Sequence, residues 1–241
     1  MPKRGTTPFW RVEAERFLPI TIQPNRHARR WREACQAIAF PPGVKLFMRG
    51  SVLEELEPHP RADLDVVLVA PYECWSTVEQ GLRPLVAQEL RVVDVQPMTP
   101  EDAHACIPTR LLLHTRSFQV HGEEERFDAV PANADTMRAH LRRYGASVLP
   151  DVLDSVRARR VCELKQLTRS FGVFGFLQDG RFTRDIRCCL DVAHRLAPEA
   201  GQTLEACWAA VDGIDEPLPP MPVLRVHEGL SRLRQADWAM P

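Results

Sequence analysis

Three acidic residues lie in or beside apolar, strand-like segments, where a carboxylate is costly without a partner. Asp63 and Asp65 open the apolar run that ends near Val69, and Asp128 interrupts a second run that begins at Phe127. Side chains two residues apart on a strand project from one face, so Asp63 and Asp65 would point together. Two such carboxylates need a cation or hydrogen-bond donors between them. If the two segments belong to one sheet, all three carboxylates converge.

Divalent metal ions are the natural occupants of such a carboxylate cluster. Mg²⁺ takes one or two carboxylates together with phosphate oxygens of a substrate, and Mn²⁺ suits the same oxygen ligands. We expect Asp63, Asp65 and Asp128 to hold two ions, an arrangement that activates a hydroxyl and stabilises a leaving pyrophosphate. Asp128 would also assist deprotonation of the attacking hydroxyl.

Gly50 and Ser51 supply features that suit a phosphate. They follow a predicted strand and open a predicted helical turn. Glycine allows close approach of the backbone, and a helix N-terminus offers free N–H groups to a phosphate. The Ser51 hydroxyl would add one hydrogen bond to the β- or γ-phosphate. A plain turn with a helix cap is the alternative interpretation, and the two are compatible.

The elements that would position these residues divide the chain into two parts. An irregular or partly extended arm, residues 1–24, comes first. Hydrophobic periodicity then predicts strands at 44–48, 64–69, 92–95, 111–121 and 126–130, with helices at 25–39, 52–57 and 73–90. Beyond residue 132 it predicts only helices, at 133–144, 150–171, 183–197, 201–212 and 223–239, with a proline-rich loop at 213–222. We therefore expect an α+β domain over 1–135 and an all-α helical domain over 136–241.

The composition is that of a globular protein. Of the 241 residues, 44% are hydrophobic and 26% are charged, which excludes wholesale disorder, and the net charge of −1 gives no general preference for nucleic acid. No segment approaches the roughly 20 apolar residues of a membrane helix. No apolar run with a small-residue cleavage site follows the basic residues at the start of the sequence, so we do not expect a secretory signal. The seven cysteines are therefore expected to be thiols in a reducing cytoplasm.

The ordered combination of these motifs resembles the nucleotidyltransferase fold of the DNA-polymerase-beta superfamily. The segment 127–132, Phe-Asp-Ala-Val-Pro-Ala, is similar to the third-carboxylate strand of enzymes related to oligoadenylate synthetase and cyclic GMP-AMP synthase, including their bacterial relatives. The resemblance covers about residues 44–132 and continues more loosely into the helical half. It implies a mixed sheet with flanking helices in the first domain. The Glu- and Pro-rich loop between Ser51 and Asp63 departs from the family pattern.

The resemblance also implies two nucleotide-binding residues in the helical half. Lys165 matches the helix lysine that holds the donor triphosphate, and Thr183 falls where the family usually has a serine that contacts the nucleotide. A solvated helix position for Lys165 and a helix cap for Thr183 are the structural alternatives. The arginines at 26, 29, 30 and 32 fit either a nucleic-acid contact or the solvated face of a helix.

The implied activity is metal-dependent transfer of a nucleoside monophosphate from a nucleoside triphosphate, with ATP among the candidate donors, to a hydroxyl, with release of pyrophosphate. The acceptor is another nucleotide, giving a linear or cyclic oligonucleotide signal, or a tRNA end, a protein or a small molecule, as in toxin- or resistance-type enzymes. A catalytically silent nucleotide-sensing scaffold is the alternative from another class.

Overall fold

The computed structural model describes residues 9–20, 24–50, 53, 64–88, 93–145 and 156–212. The chain divides into two compact units. The first contains residues 1–7 and 11–131, and the second contains residues 8–10 and 132–241. The expected helical turn at 52–57, apart from Leu53, and the expected loop and helix beyond residue 212 lie outside the described residues.

A four-stranded mixed sheet is the centre of the first unit. The strands of this unit are β1 (Val12–Glu13), β2 (Arg16–Phe17), β3 (Lys45–Arg49), β4 (Leu64–Val69), β5 (Val93–Met98) and β6 (Ser117–His121). The short strands β1 and β2 pair with each other, and the main sheet has the order β5-β4-β3-β6. Strand β3 is antiparallel to β4 and β6, whereas β5 is parallel to β4. The sheet is therefore mixed, as the sequence resemblance implied.

Helices cover both faces of this sheet. They are α1 (Arg26–Gln36), α2 (Trp75–Ala87), α3 (Pro100–Ala105) and α4 (Ile107–Arg116). Asn25 caps α1 as expected, because its Oδ1 accepts hydrogen bonds from the amides of His27 and Ala28 at 3.0 and 3.1 Å. The buried face of α1 carries the predicted Ala28, Trp31 and Cys35.

The alternation of side chains along β4 separates two hydrophobic cores. Leu64, Val66 and Leu68 pack with buried side chains of α1 and α2. Val67 and Val69 pack on the opposite face with Phe47, and that core also holds Ala103, Leu113 and Phe127. Strand alternation places Asp65 on the face of Val67 and Val69. The sheet thus buries apolar residues on both sides while one position of β4 carries a charge.

One predicted strand is wrong in part. The expected strand at 111–121 is helical up to Arg116, and only Ser117–His121 is a strand. The error arose because a short apolar run fits a buried helix as well as a strand. The feature that indicates a helix is Pro108, which lies in the first turn of α4. Helix α3, which follows the Thr99 cap, was not predicted either.

Residues 126–130 form no strand in the structure, contrary to prediction. The backbone of this segment instead bonds to the N-terminal arm, since the Phe17 amide donates to the Val130 carbonyl at 3.0 Å. Side chains hold the segment against the sheet, with the ring centroids of Phe127 and Phe47 5.6 Å apart. Glu125 binds Lys45 of β3 and lies 3.4 Å from Nε2 of His104. The segment therefore crosses the sheet face that carries Asp65.

The described part of the second unit is helical, as predicted. Its helices are α5 (Ala134–Gly145), α6 (Val156–Asp179), α7 (Ile186–Leu196) and α8 (Pro198–Asp212). Helix α6 packs against the other three, and its buried aromatic residues include Phe171, Phe174 and Phe176. Asp185 caps α7 by accepting from the Cys188 amide at 2.9 Å. The cap is therefore Asp185 and not Thr183.

The N-terminal arm is shared between the two units. Phe9 forms a β-bridge with Thr183, and the Trp10 amide donates to the Phe182 carbonyl at 2.9 Å. From residue 11 onward the arm belongs to the first unit, where β2 bonds to the segment at Val130. In the ranges that the structure covers, no helix is both long and apolar enough to span a bilayer.

A substitution at Gly172 of α6 would test the packing of the second unit. In a helix interior, alanine is favoured over glycine by about 1 kcal/mol. A Cβ at Gly172, however, would overlap the Thr183 carbonyl oxygen and lie 3.0 Å from Sγ of Cys189. Gly172→Ala should therefore lower the free energy of unfolding by about 1–3 kcal/mol, measured by denaturant titration. Gly175→Ala in the same helix is the matched control, because the nearest atoms to a Cβ there are Val192 methyl groups at 3.1 and 3.3 Å, and the backbone oxygen of Arg181 is 3.8 Å away. Equal stability of the two variants would contradict this packing.

Candidate functional site

The backbone at Gly50 lies directly against the Asp65 carboxylate. Strand β3 ends at Arg49, and Gly50 follows with φ +87°, a conformation that glycine adopts without strain. A Cβ at this position would overlap Oδ2 of Asp65 and lie 3.3 Å from its Cγ. Glycine is therefore required here both by its backbone conformation and by the carboxylate beside it.

Asp65 lies between a cation and a second carboxylate on its neighbouring strands. The antiparallel register of β3 and β4 pairs it with Arg49, and the parallel register of β4 and β5 pairs it with Asp94. The Asp65 side chain is 21% exposed, and Asp94 is exposed. Arg49, Asp65 and Asp94 therefore form a row across three adjacent strands, at the end of β3 where Gly50 turns away.

A chain of polar contacts links this row on the Asp65 face. Nη2 of Arg49 donates to Oε1 of Gln96 at 2.6 Å and lies 4.0 Å from Oδ1 of Asp65. Nε2 of Gln96 in turn donates to Oδ2 of Asp94 at 2.6 Å. The Arg49 guanidinium thus lies near Asp65 directly and is joined to Asp94 through the Gln96 amide.

Two of the predicted site residues, Ser51 and Asp63, lie outside the described residues. Their described neighbours are consistent with the expected order of elements. The Leu53 amide donates to the Gly50 carbonyl at 3.0 Å, and Leu53 is buried in the core beneath α1 and α2. Asp63 directly precedes Leu64, the first residue of β4.

Asp128 occupies the segment that crosses this face of the sheet. Its side chain is exposed, while the neighbouring Phe127 is buried. Burial lowers the pKa of His114, and the hydrogen bond to the Phe127 backbone and the Asp128 charge both oppose that shift. The electrostatic neighbour of Asp128 that the structure identifies is therefore His114 of α4.

Lys165 and Thr183 both lie in the second unit. Lys165 is half-buried on α6, directly after the buried Leu164. Thr183 is fully buried, and its Oγ1 accepts from the Asp185 amide at 3.1 Å. Gly50, Asp65 and Asp128 belong to the first unit, so the nucleotide-binding roles of Lys165 and Thr183 stay predictions.

Asp94 was missed by the sequence reasoning. Residues 92–95 were predicted as a strand, and Asp94 is an acid between two valines in that run. This is the signal that singled out Asp128, and it applies equally to Asp94. The parallel pairing of β5 with β4, which the sequence did not predict, is what places Asp94 opposite Asp65.

The carboxylates fit a hard divalent cation by the chemistry of their donors. Oxygen ligands from one or two carboxylates are what Mg²⁺ takes in proteins, and Asp65 and Asp94 are direct neighbours in the sheet. Within the residues that the structure describes, no group of three or more His, Cys, Asp or Glu side chains forms a metal cluster. Asp63, which strand alternation predicts to be a further ligand, lies outside the described residues.

The arginines of α1 have different environments. Arg26 and Arg29 are exposed. Arg32 is exposed as well, but it donates to the Gln119 carbonyl at 2.7 Å and lies 4.1 Å above the Phe118 ring. Arg32 therefore anchors α1 to β6, and a nucleic-acid role for the exposed arginines stays a prediction.

The sequence matches no protein-family model and no curated protein sequence. The structure, however, is similar to the crystal structure of spectinomycin adenyltransferase AAD(9) from Enterococcus faecialis with ATP and spectinomycin. The TM-score is 0.57 at 12% identity, and the match covers 88% of this chain and 100% of that chain. The chain therefore shares the fold of this adenyltransferase.

The contact between Gly50 and Asp65 can be tested by adding one methyl group. Gly50→Ala should lower the free energy of unfolding by about 1–2 kcal/mol for the left-handed backbone and displace the Asp65 carboxylate. Gly43→Ala is the matched control, because Gly43 has φ +79° and a Cβ there meets nothing within 4 Å. Thermal unfolding with and without Mg²⁺ should show that Gly43→Ala retains stabilisation by the ion and Gly50→Ala loses it. The same Mg²⁺ response in both variants would contradict a site at Asp65.

Proposed function

We propose that the protein is a metal-dependent nucleotidyltransferase. It would transfer a nucleoside monophosphate from a triphosphate, with ATP the favoured donor, to a hydroxyl group of an acceptor. The acceptor oxygen forms a bond to the α-phosphorus, the bond from that phosphorus to the bridging oxygen breaks, and pyrophosphate leaves. The observation that carries the proposal is the row of Arg49, Asp65 and Asp94 beside the Gly50 turn.

Asp63, Asp65 and a third carboxylate would hold the two Mg²⁺ ions. When bound, these ions neutralise phosphate charge and lower the pKa of an attacking hydroxyl. The register of β5 beside β4 supports Asp94 as the third carboxylate in preference to Asp128. The third carboxylate would accept the proton of the acceptor hydroxyl.

The Gly50 turn would receive the triphosphate. The absence of a side chain keeps the backbone within reach of phosphate oxygens, and the Ser51 hydroxyl would add a hydrogen bond. Most of the rate enhancement would come from positioning and charge neutralisation, as in phosphoryl transfer generally. Lys165 would add a compact positive charge to triphosphate binding, and Thr183 would contact the nucleotide, both as the sequence resemblance implies.

The favoured acceptor is a small hydroxylated molecule. The similarity to an adenyltransferase whose structure holds spectinomycin extends over the full length of that protein, which supports an acceptor of this class. The second candidate is synthesis of an oligonucleotide signal, because the segment 127–132 resembles a strand of the enzymes related to oligoadenylate synthetase and cyclic GMP-AMP synthase. A silent nucleotide-sensing scaffold remains the third.

Labelled triphosphates distinguish these candidates. The protein is incubated with each α-labelled triphosphate and Mg²⁺, alone, with spectinomycin and with a panel of hydroxylated small molecules, and the products are resolved. A labelled conjugate that needs an acceptor supports the proposal, whereas a labelled oligonucleotide formed without one supports signal synthesis. If no product forms and the triphosphate stabilises the fold equally in Mg²⁺ and in EDTA, the result would support the sensor scaffold.

Carboxylate variants test which residues act in the reaction. Asp65→Asn and Asp94→Asn should each lower turnover on the order of 100-fold. Both variants should fold as well as the wild type, because removing one of two like charges relieves repulsion. Circular dichroism and pyrophosphate release measure the two effects.

The comparison with Asp128→Asn decides the identity of the third carboxylate. If Asp94 has that role, Asp128→Asn keeps most of the activity, as should the control Asp135→Asn on an exposed position of α5. A large loss in Asp128→Asn together with normal turnover in Asp94→Asn would return the role to Asp128.

Lys165 should matter through its charge. Lys165→Ala should weaken binding of a non-hydrolysable triphosphate by about 1.5–3 kcal/mol, the cost of a lost charged hydrogen bond. Arg187→Ala removes an exposed cation of the same unit and is the control. Isothermal titration measures both dissociation constants. Equal constants in the two variants and the wild type would make Lys165 a solvated helix residue.

A further inference from the structure

Gln96 joins the two strands that flank Asp65. Its amide oxygen accepts from Nη2 of Arg49 on β3, and its amide nitrogen donates to Oδ2 of Asp94 on β5, both at 2.6 Å. A guanidinium has no acceptor and an ionised carboxylate has no donor. The two partners therefore permit only one orientation of the amide, with its nitrogen toward Asp94.

Asp94 needs such a restraint. It is exposed on β5, which lies at the edge of the four-stranded sheet as described, and an exposed side chain has several rotamers open to it. The adjacent Asp65 carboxylate repels it. Without a donor on its own strand, Asp94 would turn toward solvent and away from Asp65, and a shared cation would have to reorder it on binding.

We infer that Gln96 is a positioning residue, which holds the Asp94 carboxylate beside Asp65 by means of an amide that Arg49 orients. This inference rests on the proposed function, in which the two carboxylates bind metal together. Gln96 itself would touch neither the metal nor the reacting atoms. Its contribution would be to the order of Asp94 before the ion binds.

Gln96→Met tests this role, because methionine has a similar length and no hydrogen-bonding amide. The dissociation constant of Mn²⁺, measured from the free-ion electron paramagnetic resonance signal without triphosphate, should rise about tenfold, as is typical when a ligand loses its supporting hydrogen bond. In the turnover assay, the apparent Mg²⁺ requirement should rise by a similar factor. The kcat at saturating Mg²⁺ should stay within about threefold of wild type, since the bound ion then orders Asp94.

Gln119→Met is the matched control. Gln119 is a half-buried amide on β6 of the same sheet, and its nitrogen donates to the carbonyls of His121 and Glu123 at 3.1 and 2.7 Å. This variant also loses an amide, but it should leave the Mn²⁺ dissociation constant unchanged. Gln96→Val, which places a strand-favouring residue without a hydrogen-bond donor on β5, provides a second test with the same expected rise in the Mn²⁺ dissociation constant if the methionine variant folds poorly.

A double variant shows whether Gln96 acts through Asp94. In an Asp94→Asn background, Gln96→Met should have no further effect on Mn²⁺ binding, because the group that it positions is gone. Additive effects of the two substitutions would overturn the inference, and so would unchanged Mn²⁺ binding in Gln96→Met. An Asp94→Asn variant that binds Mn²⁺ normally would also overturn the inference, whereas a wild type that does not bind Mn²⁺ would instead contradict the proposed function.

Discussion

The approach of the Gly50 backbone to the Asp65 carboxylate is the constraint on which the rest of the site depends. Asp65 is a charged residue in a strand whose other side chains pack into two hydrophobic cores. Its carboxylate has room only because the residue after β3 has no side chain and adopts a left-handed backbone. The backbone conformation at Gly50 and the position of the Asp65 carboxylate therefore depend on each other.

The charges around Asp65 explain why a cation fits the site. Arg49 lies on one side of Asp65 and offsets part of its charge, while Asp94 on the other side adds a second negative charge. These two carboxylates are the reason for proposing a metal site here, because carboxylate oxygens are ligands that a hard divalent ion takes.

Much of the fold follows from local sequence patterns. Strand β4 and helix α1 were predicted because their apolar residues have unmistakable periods and because Asn25 is a strong cap. Helix α4 was read in part as a strand, since its short apolar run fits both periods. We predicted three site residues, Gly50, Asp65 and Asp128, because each is an unusual residue type for the segment in which it lies. Asp94 met the same criterion, but its importance comes from pairing between strands.

That pairing could not be derived from one sequence. Whether β5 lies beside β4, and in which register, is decided by packing between residues distant along the chain. Residues 126–130 show the opposite error, since a segment with a strand-like composition bonds to the N-terminal arm at Phe17 and not to the main sheet. Local composition indicates which segments are extended, whereas only the complete fold determines their neighbours.

The shared N-terminal arm has a consequence for how the protein is made. Phe9 and Trp10 are synthesised more than a hundred residues before their partners Thr183 and Phe182. Residues 16 and 17 find their partners at 130 and 131 earlier. Domains generally fold as units during synthesis, N-terminal first. The order of synthesis thus allows residues 16 and 17 to pair within the first unit before Phe9 and Trp10 can pair, because the partners of those two residues lie in the second unit, beyond helix α6.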